Sequence, residues 1–253
     1  MVRGLLVALA ALLMTTGCAM TAPTTEPSGE SEFSVLVFSR TTGYRHESIP
    51  DAISALEHLA ARHGFAAVAT EDPGQFTTDN LAQFDAVVWL STSGDVLDDG
   101  QRKAFEAYIR GGGGYVGIHG AADTEYGWHW YGGLVGTVFA SHPAIQPATV
   151  RIVDAAHPST AGLPQAWART DEWYNFRARP PSSAHILATV DETTYEGGTM
   201  GADHPIVWCH EYDGGRAWYT AMGHTTESYG EAEFLTHLLG GIRYAALGVG
   251  ACG

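Results

Sequence analysis

The stretch Gly111-Gly-Gly-Gly-Tyr-Val-Gly-Ile-His-Gly-Ala-Ala-Asp123 decides the fold. A glycine turn releases a short apolar run, Gly114 to His119. The run ends on a sharp corner with His119 at its tip and Asp123 four residues on. Strand-to-helix corners of this kind expose the side chain they carry, and that residue is commonly a nucleophilic Ser or Cys. Here it is an imidazole. The segment reads as a catalytic scaffold without the covalent chemistry, and glutamine hydrolysis through a thioester is disfavoured.

Upstream of this corner, strands and helices alternate. Ser34 to Ser39, Phe65 to Thr70 and Asp85 to Leu90 are short apolar runs fit for parallel strands buried on both faces. Pro50 to His63 reads as a helix, opened by Pro50, with Ile53, Leu56 and Leu59 on one face and Gly64 as its stop. Asp98 to Arg110 is a second helix, capped by Asp98 and ended at Gly111. This order predicts an α/β fold with a doubly wound, mostly parallel sheet. Downstream, 148–154, 185–191 and 205–212 read as strands. Asp213-Gly-Gly is a hairpin turn into a returning strand over 216–222, so an antiparallel C-terminal extension is expected. A closing helix spans Ser228 to Leu247, with Phe234, Leu238, Ile242 and Ala245 spaced for burial. In such sheets ligands bind beyond the carboxyl ends of the strands. The loops at 40–47, 91–95 and 119–131 all leave those ends and are expected to meet.

The chain has 253 residues, 45% of them hydrophobic, enough for one large, well-buried domain. Its formal net charge is -15 and Lys103 is its sole lysine, a balance that repels phosphate backbones and argues against nucleic-acid binding. The amino terminus reads as an export leader, residues 1–18. Arg3 supplies the positive start, Leu5 to Met14 is an apolar run short for a membrane span, and Thr15-Thr16-Gly17-Cys18 resembles a lipoprotein cleavage box ending in an acylated cysteine. The expected product is a membrane-anchored lipoprotein held through lipid on Cys18, with plain secretion as the alternative. Residues 19–33 form a polar, Pro-rich tether and 34–247 the folded domain. With Cys18 lipidated, Cys209 and Cys252 remain. Export would let them pair, but Cys209 equally suits a small buried core residue, and spacing does not decide between the two.

Several segments together carry a family resemblance. Thr42 to Pro50, Gly113 to Asp123, Asp171-Glu-Trp-Tyr174, Gly215 to His224 and the closing helix resemble the ThuA-like, trehalose-utilisation family over about residues 34–247. The resemblance implies a class I glutamine amidotransferase-like, flavodoxin-like fold. It also implies a role with trehalose-related sugars, often beside dehydrogenases that make keto-sugars. The lipoprotein-like leader departs from the family's cytosolic members.

The candidate site residues lie on those loops. His119 reads as a general base or a metal ligand. Asp123 either orients it or caps the next helix. Glu172 is the expected acid/base of the Asp171-Glu172 pair, because neighbours on an extended segment point opposite ways and one carboxylate faces the crevice. His224, at the end of the last strand, would orient or polarise. Arg45 and His46 in the first loop, Tyr126 and Trp128 in the aromatic segment 125–131, His142 and Trp173 are the expected substrate contacts. Trp and Tyr faces suit a sugar ring, and an arginine suits a hydroxyl pair or a carboxylate. No cofactor is implied with certainty. Three or four imidazoles with carboxylates also suit a divalent metal, assembled across distant loops because no H-E-x-x-H spacing is present. The expected partner is a small sugar, acted on by His/carboxylate acid–base chemistry. A non-catalytic carbohydrate-binding protein and a metal-dependent hydrolase are the alternatives.

Overall fold

The computed structural model describes residues 32–252 and the first two residues. The expected leader from residue 3 on, Cys18 and the tether as far as residue 31 lie outside the described residues. In chain order the strands are β1 (Ser34–Phe38), β2 (Ala66–Thr70), β3 (Ala86–Leu90), β4 (Gly114–Ile118), β5 (Phe139–Ser141), β6 (Gln146–Ile152), β7 (Ala166–Asp171), β8 (Asn175–Phe176), β9 (His185–Val190), β10 (His204–Tyr212) and β11 (Gly215–Thr220). The helices are α1 (Ile49–His63), α2 (Thr78–Leu81), α3 (Asp99–Arg110), α4 (His129–Val135) and α5 (Ala232–Leu247).

Nine strands form one sheet in the order β2-β1-β3-β4-β11-β10-β9-β6-β7. The first five are parallel, with β11 pairing β4 in parallel although it comes last in the chain. Direction reverses at β10, and the remaining strands pair antiparallel. The doubly wound sheet with an antiparallel extension is therefore present as expected. β5 and β8 form a separate two-stranded ribbon.

Local chemistry explains the boundaries. Every residue of β3 and β4 is buried, as a central parallel strand covered on both faces requires. Helix α1 has Pro50 in its first turn and ends on Gly64, whose φ of 74° is the left-handed conformation that glycine adopts freely. Helix α3 opens with a capping box between Asp98 and Gln101. The turn Asp213-Gly214 has φ values of 48° and 97°, the double positive φ of a tight hairpin. Phe33 also belongs to the domain: it is 3% exposed and stacks on Phe65 with ring centroids 4.7 Å apart.

Helix α5 lies against β3, β4 and β11 and buries Phe234, Leu238, Ile242 and Ala245 completely. Complete burial of each large apolar side chain contributes roughly 1.5–3 kcal/mol. The approach is close: a Cβ on Gly241 would sit 2.4 Å from the Trp218 ring, and one on Gly240 would sit 2.3 Å from the Pro158 carbonyl oxygen. The helix begins at Ala232, not at Ser228. Thr225 accepts from the Ser228 amide and caps a 3-10 turn over Thr226–Gly230 instead.

Strand β7 was not expected. Its burial alternates residue by residue, but Arg169 and Asp171 occupy two inward positions and hide the apolar signal. The open question over the cysteines is resolved: Cys209 of β10 is bonded to Cys252, with Cα atoms 5.9 Å apart.

Candidate functional site

The parallel strands deliver their following loops to one end of the sheet. Bridges between Thr41 and Ser93 and between Gly94 and Thr124 join the loops after β1, β3 and β4. His119, directly after β4, is fully buried and has φ 48°, a left-handed conformation that is uncommon outside glycine. Gly120 permits the corner, because a Cβ there would lie 2.8 Å from the Thr92 carbonyl oxygen. The His119 ring donates from Nδ1 to the Ala221 carbonyl at 2.7 Å. That bond commits Nδ1 as a donor and turns Nε2 toward the crevice.

Asp171 sets the opposite wall. Fully buried, it accepts from the amides of Gly223 (2.9 Å) and His224 (3.0 Å), and from Arg169 Nη2 (3.0 Å). It thereby ties the loop after β11, and His224 with it, to the end of β7. Along the extended segment that follows, Glu172 and Tyr174 face the crevice while Trp173 points into the core.

Four side chains converge. Glu172 Oε2 lies 3.4 Å from His119 Nε2 and 3.2 Å from His224 Nδ1, and the two ring nitrogens are 3.1 Å apart. The His46 ring is 4.7 Å from that of His119 and 5.0 Å from that of His224, centroid to centroid. One donor atom from each of His46, His119, Glu172 and His224 falls within 4.8 Å of the other three. His142 Nδ1 stands 3.0 Å from the second Glu172 oxygen. The crevice holds about 360 Å³, walled further by Tyr44, Asp123 and Phe139.

The electrostatics follow from the crowding. Burial and the neighbouring imidazoles of His119 and His224 push the His46 pKa down to about 2, so its ring is neutral, and its buried Nδ1 has no partner. Burial opposes ionisation of Glu172. The hydrogen bonds and charges of His119 and His224 outweigh it and hold the carboxyl well below the usual range. For His224 burial favours the neutral ring, but the bond to Glu172 raises its pKa overall. Burial raises the Asp123 pKa, offset in part by the Tyr126 hydroxyl that donates to it at 2.5 Å. Three imidazoles, one of them donating from its far nitrogen to a backbone carbonyl, and one carboxylate form a donor set that could hold a divalent transition metal such as zinc.

Of the expected residues, the structure brings His46, His119, Asp123, His142, Glu172 and His224 to the crevice. Tyr126 supports it from behind through Asp123. Three expected substrate contacts are elsewhere. Arg45 turns outward to Glu71 at 2.7 Å. Trp128 donates to Glu106 and stacks on Trp130 and Tyr131. Trp173, 1% exposed, donates to the Gln146 carbonyl. Asp123 does not orient the His119 ring, because the Ala221 carbonyl occupies the nitrogen it would need. Sequence reasoning missed Tyr44, whose ring lies 4.9 Å from that of His46, and Tyr174, 4.2 Å from His119. Strict alternation from Glu172 would have found Tyr174; nothing in the sequence separates Tyr44 from other loop aromatics.

Comparison with known proteins gives a consistent picture. A family model described as ThuA, trehalose utilisation, matches residues 34–245. A ThuA-like protein of Bacteroides uniformis superposes with a TM-score of 0.73 at 23% identity, covering 88% of this chain and 95% of the other. A ThuA-like protein of Parabacteroides merdae gives 0.71 at 20% identity, with 85% and 90% covered. A cytoplasmic protein of Salmonella typhimurium gives 0.61 at 12% identity, with 84% and 99% covered. No curated protein matches the sequence.

Proposed function

The chain belongs to the ThuA, or trehalose-utilisation, family, and from that membership we propose that it is an exported, metal-assisted enzyme acting on a trehalose-related sugar or keto-sugar. The observation that carries the proposal is the convergence of His46, His119, Glu172 and His224, with donor atoms within 4.8 Å of one another and the buried His46 Nδ1 unpartnered. An unpaired buried nitrogen costs stability unless something binds it.

A divalent ion held there would act as a Lewis acid on a carbonyl or hydroxyl oxygen of the sugar. His119 and Glu172 then hold the ion, in place of the proton-moving role expected from the sequence. Proton transfer falls to Asp123 and His142, which line the same crevice. Burial raises the Asp123 pKa, the direction that suits a carboxyl to proton transfer. Tyr174 and Phe139 wall the crevice with apolar faces. With an imidazole at the β4 corner, the chain lacks the nucleophile that glutamine amidotransfer needs. Export is supported by the leader-like residues 1–18 and by the Cys209–Cys252 disulfide, a bond that persists in oxidising compartments.

Elemental analysis of protein purified without chelators tests the reading. The expected result is about one divalent ion per chain, lost on His119→Ala, with sugar turnover abolished by chelation and restored by the ion. Turnover that persists in demonstrably metal-free protein overturns it. Mass spectrometry of the native mature form is expected to begin at acylated Cys18.

A further inference from the structure

Tyr174 is 2% exposed and lines the crevice, yet its hydroxyl has no hydrogen-bond partner among the described residues. We propose that this hydroxyl is a catalytic group, donating a hydrogen bond to the ligand oxygen held at the His46–His119–Glu172–His224 centre. That oxygen would have a neutral electrophile on one side and the divalent ion on the other. The inference rests on the metal reading of the centre and adds a residue to it.

The neighbouring phenols are committed or solvated. Tyr126 donates to Asp123 at 2.5 Å, and Tyr219, behind the corner, donates to the His119 carbonyl at 2.9 Å. Tyr44 stands at the rim with 60% of its surface exposed, where water competes for its hydroxyl. Nor do the crevice carboxylates take the Tyr174 proton: Asp123 accepts from Tyr126, and Glu172 faces His119, His224 and His142. A buried hydroxyl left unpaired costs stability, and this one opens where a ligand would sit.

The surroundings hold the hydroxyl in place. The Tyr174 ring packs between His119, 4.2 Å away, and Phe139, 4.4 Å away, centroid to centroid. Its carbonyl accepts from Nε2 of the fully buried His204 at 2.8 Å, and His204 Nδ1 lies 2.8 Å from Glu192. The next residue, Asn175, donates to the Gly197 carbonyl and accepts from the Thr199 amide, which ties the same segment to the loop before β10. A donor fixed in advance and shielded from water stabilises an oxygen that gains negative charge, because nothing need reorganise around it. A phenol keeps its proton at neutral pH, so it serves as a donor rather than a base. The ligand chemistry it suits is a carbonyl or carboxylate oxygen.

Visible spectroscopy on cobalt(II)-loaded full-length protein tests this, with acetate and imidazole as probes. Acetate offers oxygens that accept from a phenol while bound to the ion. Imidazole binds through one nitrogen, and its other nitrogen carries a proton, so it has nothing for the phenol to donate to. Tyr174→Phe removes the hydroxyl and keeps the ring. The expected result is acetate affinity lowered about tenfold, with imidazole and cobalt(II) affinity unchanged; a merely structural role would move both probes together. Unchanged acetate affinity, equal loss for both probes, or no acetate binding to the loaded, unaltered protein overturns the assignment. So does a folded variant that no longer takes cobalt(II), because the hydroxyl then serves the ion centre and not the ligand. Should the variant fail to fold, the unaltered protein decides: acetate is expected to shift the near-ultraviolet tyrosine absorption and imidazole to leave it alone, and no shift with acetate overturns the proposal. If the unaltered protein takes up no divalent ion, the metal reading of the crevice falls and this inference falls with it.

Discussion

Replacing Asp171 by asparagine is expected to loosen the site without touching a group that faces the crevice. Both carboxylate oxygens are saturated by donors. Oδ1 accepts from the amides of Glu172 (2.9 Å) and His224 (3.0 Å); Oδ2 accepts from the Gly223 amide, Arg169 Nη2 and, more distantly, Ser228 Oγ at 3.4 Å. Either orientation of an asparagine side chain therefore turns its NH2 against at least two donors. Two charge-assisted hydrogen bonds are lost, each contributing about 1.5–3 kcal/mol. Arg169, whose side chain is 1% exposed, also loses its nearest counter-charge and keeps only Glu231 at 3.4 Å. Breaking a buried pair from one side costs about 3–5 kcal/mol, a figure that overlaps the lost hydrogen bonds and is not added to them, and the surviving Glu231 contact places the whole change near the lower bound. A domain stable by about 5–15 kcal/mol survives such a loss folded. The loop carrying His224 does not keep its position. Urea denaturation should show a midpoint lowered by the equivalent of about 3 kcal/mol, and titration at a temperature where the variant is fully folded should show weaker binding of the divalent ion. A variant with the original midpoint and the original ion affinity would refute the claim that Asp171 holds His224 in place.

Acid should destabilise the fold through its core histidines. Burial lowers the pKa of His237 from 6.5 to about 3, that of His157 to about 4, and that of His210 in the same direction. A depressed histidine pKa means the folded chain binds fewer protons than the unfolded one, so this stability is complete above the unfolded value and drains as pH falls toward the folded one. At about pH 5 His237 alone accounts for about 2 kcal/mol, and melting temperatures followed from pH 7 down to 4 should drop accordingly; a flat profile would contradict its burial as a neutral ring. Cys252→Ser opens a cross-link spanning 43 residues and is expected to lower stability by up to about 4 kcal/mol on the chain-entropy account, read by denaturation with and without reductant. Gly120→Ala drives a Cβ against the Thr92 carbonyl beside His46 and should reduce ion affinity along with stability, the latter by about 1–3 kcal/mol. Trp128→Phe should leave sugar affinity unchanged and cost about 1–3 kcal/mol of stability, from the lost bond to Glu106 and the space left by the smaller ring.

The convergence of His46, His119 and His224 was legible because parallel topology sends every strand's carboxyl end to the same edge. Three loops that leave such ends must meet wherever they fall in the chain. Glu172 was legible from the two-residue period of extended chain. The aromatic residues were not, because Trp128 and Trp173 stacked in a core have the same composition as platforms for a sugar, and only packing separates the two. Arg45 was misplaced because the sequence does not show that Glu71, 26 positions later, is its partner. Strand β7 escaped because the inward residues Arg169 and Asp171 interrupt its apolar alternation, and those are the residues that position the His224 loop. The cysteine pairing depended on a fold-level distance that spacing does not carry.

The direction reversal between β11 and β10 makes a seam through the middle of the sheet, and helix α5 with its tail is sewn across it. The helix body rests on the parallel strands, while the residues beyond it end covalently on β10, the first strand of the other set. Neither half can peel away while that stitch is closed. A break in the chain at the 213–214 turn should therefore leave the two pieces joined through Cys209 and Cys252, and a circularly permuted chain with new ends in that turn would have its former carboxyl terminus pinned.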